Sequence, residues 1–197
     1  MKIGLLFGSF NPVHTGHLLI ASYFLEPDGQ SGIKGMEKIW FVVSPQNPFK
    51  ENSELIDENT RFKMVQLAIE NNSRFEACDA EFKLSRPSFT IHTLEFLREK
   101  YPEHTFFPLI GGDNLMSFHL WKNYEKILEN YEVLVYRRSG FDGNPAVAAH
   151  PHIKICDVPL LNISSTYIRE LIRSGKSIRY IVPKSVEEFI MVNKLYL

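Results

Sequence analysis

Short apolar runs alternate along the chain with stretches in which apolar residues recur every three or four positions. Ile3–Phe7, Lys38–Val43, Phe75–Phe82, Thr105–Ile110 and Tyr131–Tyr136 read as strands. Between them, Thr15–Leu25, Glu58–Glu70 and Thr90–Lys100 carry helical spacing, for example Ile91, Leu94 and Leu97. A short helical stretch is expected between the fourth and fifth strands. Two more helices are expected at Ser165–Ser174 and at Lys184–Lys194, the latter with Pro183 as its first residue. Pro27–Gly35 and Gly140–Pro151 read as loops, the second with a short helix at Pro145–Ala149. Strand and helix in alternation predict an α/β fold: a doubly wound, mainly parallel sheet with helices on both faces. The 197 residues fit one domain, 1–197, whose part from about 163 onward is a small helical extension.

In such sheets ligands bind beyond the carboxyl ends of the strands. Four polar segments are expected there: Gly8–His17, Ser44–Lys50, Gly111–Asp113 and Arg137–Arg138. The first is the most informative. Gly8-Ser9-Phe10-Asn11-Pro12-Val13-His14-Thr15-Gly16-His17 leads from a strand into a helix, with two imidazoles where the helix starts. Unbonded N–H groups and the positive end of the helix dipole gather at that point, which suits a phosphate. A metal site would need a third ligand, and the other five histidines have no partner spacing that supplies one. A second phosphate clamp is suggested by Ile163-Ser164-Ser165-Thr166-Tyr167-Ile168-Arg169. Ser164 or Ser165 would cap a helix there, with Arg169 one turn on.

Net charge is −1 and basic residues are scattered, so neither a nucleic acid nor a membrane surface is expected as a partner. The two cysteines, Cys78 and Cys156, are far apart and read as buried thiols in a reducing compartment. The first residues read as strand rather than leader, and no apolar run approaches the roughly 20 residues needed to span a bilayer. The expected location is the cytoplasm. No GxGxxG follows the first strand and no GxxxxGK[ST] occurs, which argues against dinucleotide oxidoreduction and P-loop chemistry.

The combination of His14-Thr15-Gly16-His17 with Ile163–Arg169 resembles the HxGH nucleotidylyltransferases of Rossmann-like fold. Within them the pattern is similar to that of the bacterial nicotinate-mononucleotide adenylyltransferases. Further matches are Arg61 with Met64, Ser88-Phe89-Thr90-Ile91-His92-Thr93-Leu94, and Gly111 and Asp113 with Trp121. The resemblance spans about residues 3–182 in consistent order. Phe49 and Phe89 stand where the family usually has His and Tyr, and Leu84 and Arg86 stand where it has a basic residue and Gly.

The resemblance implies adenylyl transfer from ATP, with Mg²⁺ bound along with it, to nicotinate mononucleotide. His14, His17 and Arg169 would carry the catalysis. Gly8, Ser9, Phe10, Gly111, Asp113, Arg138, Ile163, Ser164, Ser165 and Thr166 would complete the ATP site. Asn11, Lys50, Ser88, Thr90, Asp113 and Trp121 would hold the mononucleotide, with no metal cage built from protein side chains alone. Asp79 and Glu81 read as strand or edge charges without a catalytic role. The alternatives are a sister transferase, such as a phosphopantetheine adenylyltransferase, and a non-catalytic nucleotide-binding protein; a homo-oligomer is compatible with either.

Overall fold

The computed structural model describes residues 1–27, 35–45, 55–137, 145–159 and 161–197; for residues 145 and 146 it describes the backbone alone. Six strands form one sheet: β1 (Lys2–Gly8), β2 (Lys38–Val43), β3 (Phe75–Cys78), β4 (Thr105–Gly111), β5 (Val133–Tyr136) and β6 (Ile153–Cys156). Their order is β3-β2-β1-β4-β5-β6, and every pairing is parallel. The order reverses direction between β1 and β4, which is where an open parallel sheet leaves a crevice at its carboxyl edge.

Side chains along each strand alternate between two cores, as a sheet covered on both faces requires. Leu6, Ile39, Phe41, Val43, Leu109 and Leu134 point into one. It is closed by α1 (Thr15–Leu25), α2 (Glu58–Ile69), α7 (Ser165–Arg173) and α8 (Lys184–Val192). Ile3, Leu5, Trp40, Val42, Ile110, Val133 and Val135 point into the other, beneath α3 (Thr90–Lys100), α5 (Tyr124–Asn130) and α6 (Pro145–Ala148). The short α4 (Gly112–Met116) follows β4 directly. Both cysteines are buried free thiols, as expected. Among the described residues no helix is long and apolar enough to cross a membrane.

Several boundaries differ from the sequence reading. β3 stops at Cys78, and a 3₁₀ turn, Ala80–Lys83, replaces the expected continuation to Phe82. Asp79 leaves the extended region (φ −96°, ψ 16°) and turns the chain, which changes where Glu81 points. β6 was not anticipated; it is an edge strand whose apolar run is broken by the exposed Lys154. Pro183, with ψ 148°, sits at the N-cap of α8 rather than inside it. The expected loop Pro27–Gly35 falls almost wholly outside the described residues, as do residues 140–144 of Gly140–Pro151.

Candidate active site

Two polar regions meet at the carboxyl ends of β1 and β4. The first is built on Gly8–His17. His14, extended at φ −146° and ψ 170°, is the N-cap of α1. Its backbone N–H donates to His17 Nδ1 at 3.2 Å. A ring nitrogen that accepts cannot carry the proton, so in the neutral ring the proton sits on Nε2. The two imidazoles stack with centroids 3.7 Å apart. Gly16 permits this: a Cβ there would lie 3.0 Å from His14 Nδ1. Phe10 takes a left-handed backbone (φ 47°), and its ring is buried against Phe41 and edge-on to His17. The Phe10 side chain is thus the floor of the loop, and only its backbone is available to a ligand.

What fixes this loop is a set of side chains donating to its carbonyls. Arg169 Nη1 donates to Asn11 C=O at 3.0 Å, and Ser165 Oγ donates to Pro12 C=O at 2.9 Å. Arg61 Nη1 donates to Ser9 C=O at 2.6 Å and to Ser44 C=O at 2.8 Å. Its Nη2 and Nε donate to Pro45 and Ile56 carbonyls at 3.1 and 2.9 Å. Arg61 is fully buried, and burial holds its guanidinium below the ordinary arginine range, with Glu58 opposing. Its partners are neutral carbonyls, so a positive charge remains beneath the loop. With the carbonyls turned toward the scaffold, the arrangement favours anions on the open side.

α7 brings the second expected clamp to the same place. Ser164, not Ser165, caps it, accepting from Tyr167 N–H at 3.1 Å. Ser165 instead ties α7 to Pro12. Thr166 Oγ1 accepts from Arg169 at 3.5 Å and is exposed, whereas Ile163 packs against the core.

The second region is a cavity of about 170 Å³ on the α3 side. Gly8, Ser44, Glu81, Ser88, Thr90 and Gly111 line it, together with the rings of Phe89, Trp121 and Tyr136. Trp121 is half-buried and packs on Phe118 at 4.9 Å. Phe89 precedes α3 and has no polar side chain to cap it, so the first N–H groups of α3, from Thr90, open beside the cavity. Lys122, which the sequence reading did not single out, lies over the Phe89 ring at 4.6 Å and also lines the cavity.

Glu81 corrects the reading of that carboxylate as an edge charge. It is 3% exposed, and it accepts from Ser88 Oγ at 2.6 Å and Thr93 Oγ1 at 3.1 Å. Burial pushes its carboxyl above the usual range, against hydrogen bonds from Ser88, Ser44 and Thr93. Ser88, expected to touch a ligand, lines the cavity while its hydroxyl donates to Glu81. Asp113 is exposed in the first turn of α4, with its Oδ1 so close to Gly111 that a Cβ there would collide with it. Lys50 and Arg138 lie outside the described residues. Among the described residues no group of three or more His, Cys, Asp or Glu is placed to hold a metal ion.

A doubly wound parallel sheet with paired histidines at the first helix and a Ser/Arg clamp from a late helix defines a nucleotide-binding transferase class of fold. Comparison with known proteins agrees. The cytidylyltransferase-like family model matches residues 5–171. The chain is 48% identical to the probable nicotinate-nucleotide adenylyltransferase of Cytophaga hutchinsonii over 196 residues, covering 100% of this chain and 98% of that protein. It is 46% identical to the protein of the same name from Flavobacterium johnsoniae, covering 100% and 99%. The chain belongs to the cytidylyltransferase-like family and, within it, to the nicotinate-nucleotide adenylyltransferases. Its fold also matches the nicotinic acid mononucleotide adenylyltransferase of Plasmodium falciparum in complex with NaAD. The TM-score is 0.79 at 20% identity, covering 99% of this chain and 97% of the other.

Proposed function

We propose that this protein transfers the adenylyl group of Mg–ATP to nicotinate mononucleotide, releasing pyrophosphate and forming nicotinate adenine dinucleotide. The observation that carries the reading is the loop 8–17, with its stacked histidines, tied by Arg61, Arg169 and Ser165 so that its ligand face is set in advance. An oxygen of the mononucleotide 5′-phosphate forms a bond to the α-phosphorus while the bond from that phosphorus to the bridging β-oxygen breaks. The attacking oxygen is already anionic, so catalysis reduces to alignment and neutralisation of charge.

In this reading His17 presents Nε2–H, and His14 beside it, to the phosphates. Arg169 and Thr166 lie on the side that receives the departing β- and γ-phosphates. Backbone groups of Gly8, Ser9 and Phe10 line the nucleotide path, with Asp113 at a ribose hydroxyl. Mg²⁺ would arrive on the phosphate oxygens of ATP and supply further neutralisation, while the histidine, arginine and hydroxyl groups of this face would bind the phosphates rather than the ion. The cavity takes the acceptor: Trp121 against the pyridine ring and the first turn of α3, at Thr90, toward the carboxylate. A cytoplasmic location fits the two free thiols.

The test is pyrophosphate release with Mg–ATP and nicotinate mononucleotide, run beside nicotinamide mononucleotide and phosphopantetheine. Turnover confined to the pyridine mononucleotides supports the reading; turnover with phosphopantetheine alone, or ATP binding without any turnover, contradicts it.

A further inference from the structure

The chain that follows α8 returns to the nucleotide loop. α8 ends with Asn193 as its C-cap; Lys194 N–H donates to Met191 C=O at 3.3 Å, and Leu195 N–H donates to Ile190 C=O at 3.0 Å. This is the paired bonding of a Schellman stop, with Lys194 left-handed at φ 51° where glycine is usual. The stop reverses the chain and delivers Tyr196, itself left-handed at φ 66°, into the core. Tyr196 is 9% exposed, and its hydroxyl donates to Asn11 Oδ1 at 2.9 Å across 185 positions of sequence.

Asn11 follows the left-handed Phe10, so left-handed residues stand on both sides of this contact. Non-glycine residues in that region are strained and persist where their surroundings determine them. Burial pushes the Tyr196 phenol up, with Arg169 and Arg61 opposing, so it stays a donor at neutral pH. A donor at Oδ1 fixes which end of the Asn11 amide faces the core. The same residue's carbonyl takes Arg169. Asn11 is therefore held at both its main chain and its side chain from two different elements.

We propose that Tyr196 is a positioning residue of the nucleotide site, holding the Gly8–His17 loop in its binding geometry through Asn11. The proposal rests on the reading of that loop as the ATP-phosphate site. It assigns the segment after α8 a part in ATP binding and turnover, beyond helix termination.

The experiment is a double-mutant cycle on the full chain, Tyr196→Phe with Asn11→Ala, read by direct titration of Mg–ATP, by kcat, and by thermal unfolding. The phenylalanine keeps the buried ring and removes the hydroxyl alone. Tyr196→Phe is expected to weaken ATP binding about fivefold and lower kcat about tenfold, the fivefold corresponding to the worth of one buried hydrogen bond. In the Asn11→Ala background the second change adds nothing to either; in Asn11→Asp, which keeps the acceptor, its effect persists. Unchanged ATP affinity in Tyr196→Phe, or equal losses with and without Asn11, overturns the proposal even if the protein unfolds at a lower temperature. ATP titration needs no acceptor. Wild-type binding of ATP without turnover would therefore sink the proposed reaction while the cycle still decides the role of Tyr196.

Discussion

The two halves of the site are built on opposite electrostatic plans. In the half proposed to take ATP, two buried guanidiniums, Arg61 and Arg169, donate to main-chain carbonyls of the loop they support. Those bonds go to neutral carbonyls, and Glu58 and Asp57 act on Arg61 through space, so two guanidiniums brace the loop from beneath. In the half proposed to take the acceptor a buried carboxyl group, Glu81, gathers hydroxyls from Ser88, Thr93 and Ser44. It orders the start of α3 through neutral hydroxyl donors. Ser44 belongs to both halves: its carbonyl takes Arg61 and its hydroxyl serves Glu81. A triphosphate needs fixed positive charge, whereas an acceptor pocket needs shape and a few oriented dipoles. The contrast follows from those demands.

The contrast can be broken most severely at Arg61. Arg61→Ala leaves buried carbonyls at Ser9, Ser44 and Pro45 without their donor and is expected to cost about 3 kcal/mol of stability, measured by urea unfolding. A loss under about 1 kcal/mol would show that water replaces the guanidinium. The next largest effect falls on chemistry. His17→Ala is expected to lower kcat by about 100-fold or more, as loss of one transition-state donor does, while the protein stays folded. Near-normal kcat would remove His17 from the mechanism.

The acceptor half should respond differently. Trp121→Ala is expected to raise KM for the mononucleotide about tenfold, with little change in KM for ATP, because an aromatic face is worth about 1 kcal/mol or more. Equal changes in both KM values would mean that the halves are not separable. Glu81→Gln gives the smallest and most diagnostic effect. Burial raises the Glu81 carboxyl above 4.5, so the folded protein holds that proton more tightly than the unfolded chain does. The stability it contributes is fully present below that value and is lost as pH rises through the raised one. The stability difference between wild type and Glu81→Gln should therefore shift against the wild type as pH rises above 4.5. A pH-independent difference would show that the carboxyl titrates normally.

The same contrast explains how much of the molecule was readable beforehand. His14, His17, Ser164, Ser165 and Arg169 sit in two compact segments, each at a strand or helix boundary that hydrophobic period reveals. The sheet was legible for the same reason, except β6, where the exposed Lys154 interrupts the kind of unbroken apolar run that marks Val133–Tyr136. Glu81 was misread because its burial depends on the chain leaving the extended conformation at Asp79, which no periodicity announces. Arg61 gave a usable signal: it occupies the apolar stripe of α2 with Met64 and Val65, where a charge is out of place unless bonded. Tyr196 gave none, since its partner lies 185 positions away and only the packed fold brings them together.

On the function proposed above, the carbonyl-tied half handles ATP while the carboxylate-ordered half chooses the acceptor. The most direct test is steady-state pyrophosphate release by the wild-type protein with Mg–ATP, varying nicotinate and nicotinamide mononucleotide in parallel. Turnover with a clear preference for the acid, carried in KM for the mononucleotide and leaving KM for ATP alike with both, is the result expected. Equal use of acid and amide, or a preference expressed in KM for ATP, would contradict the division of labour between the two halves.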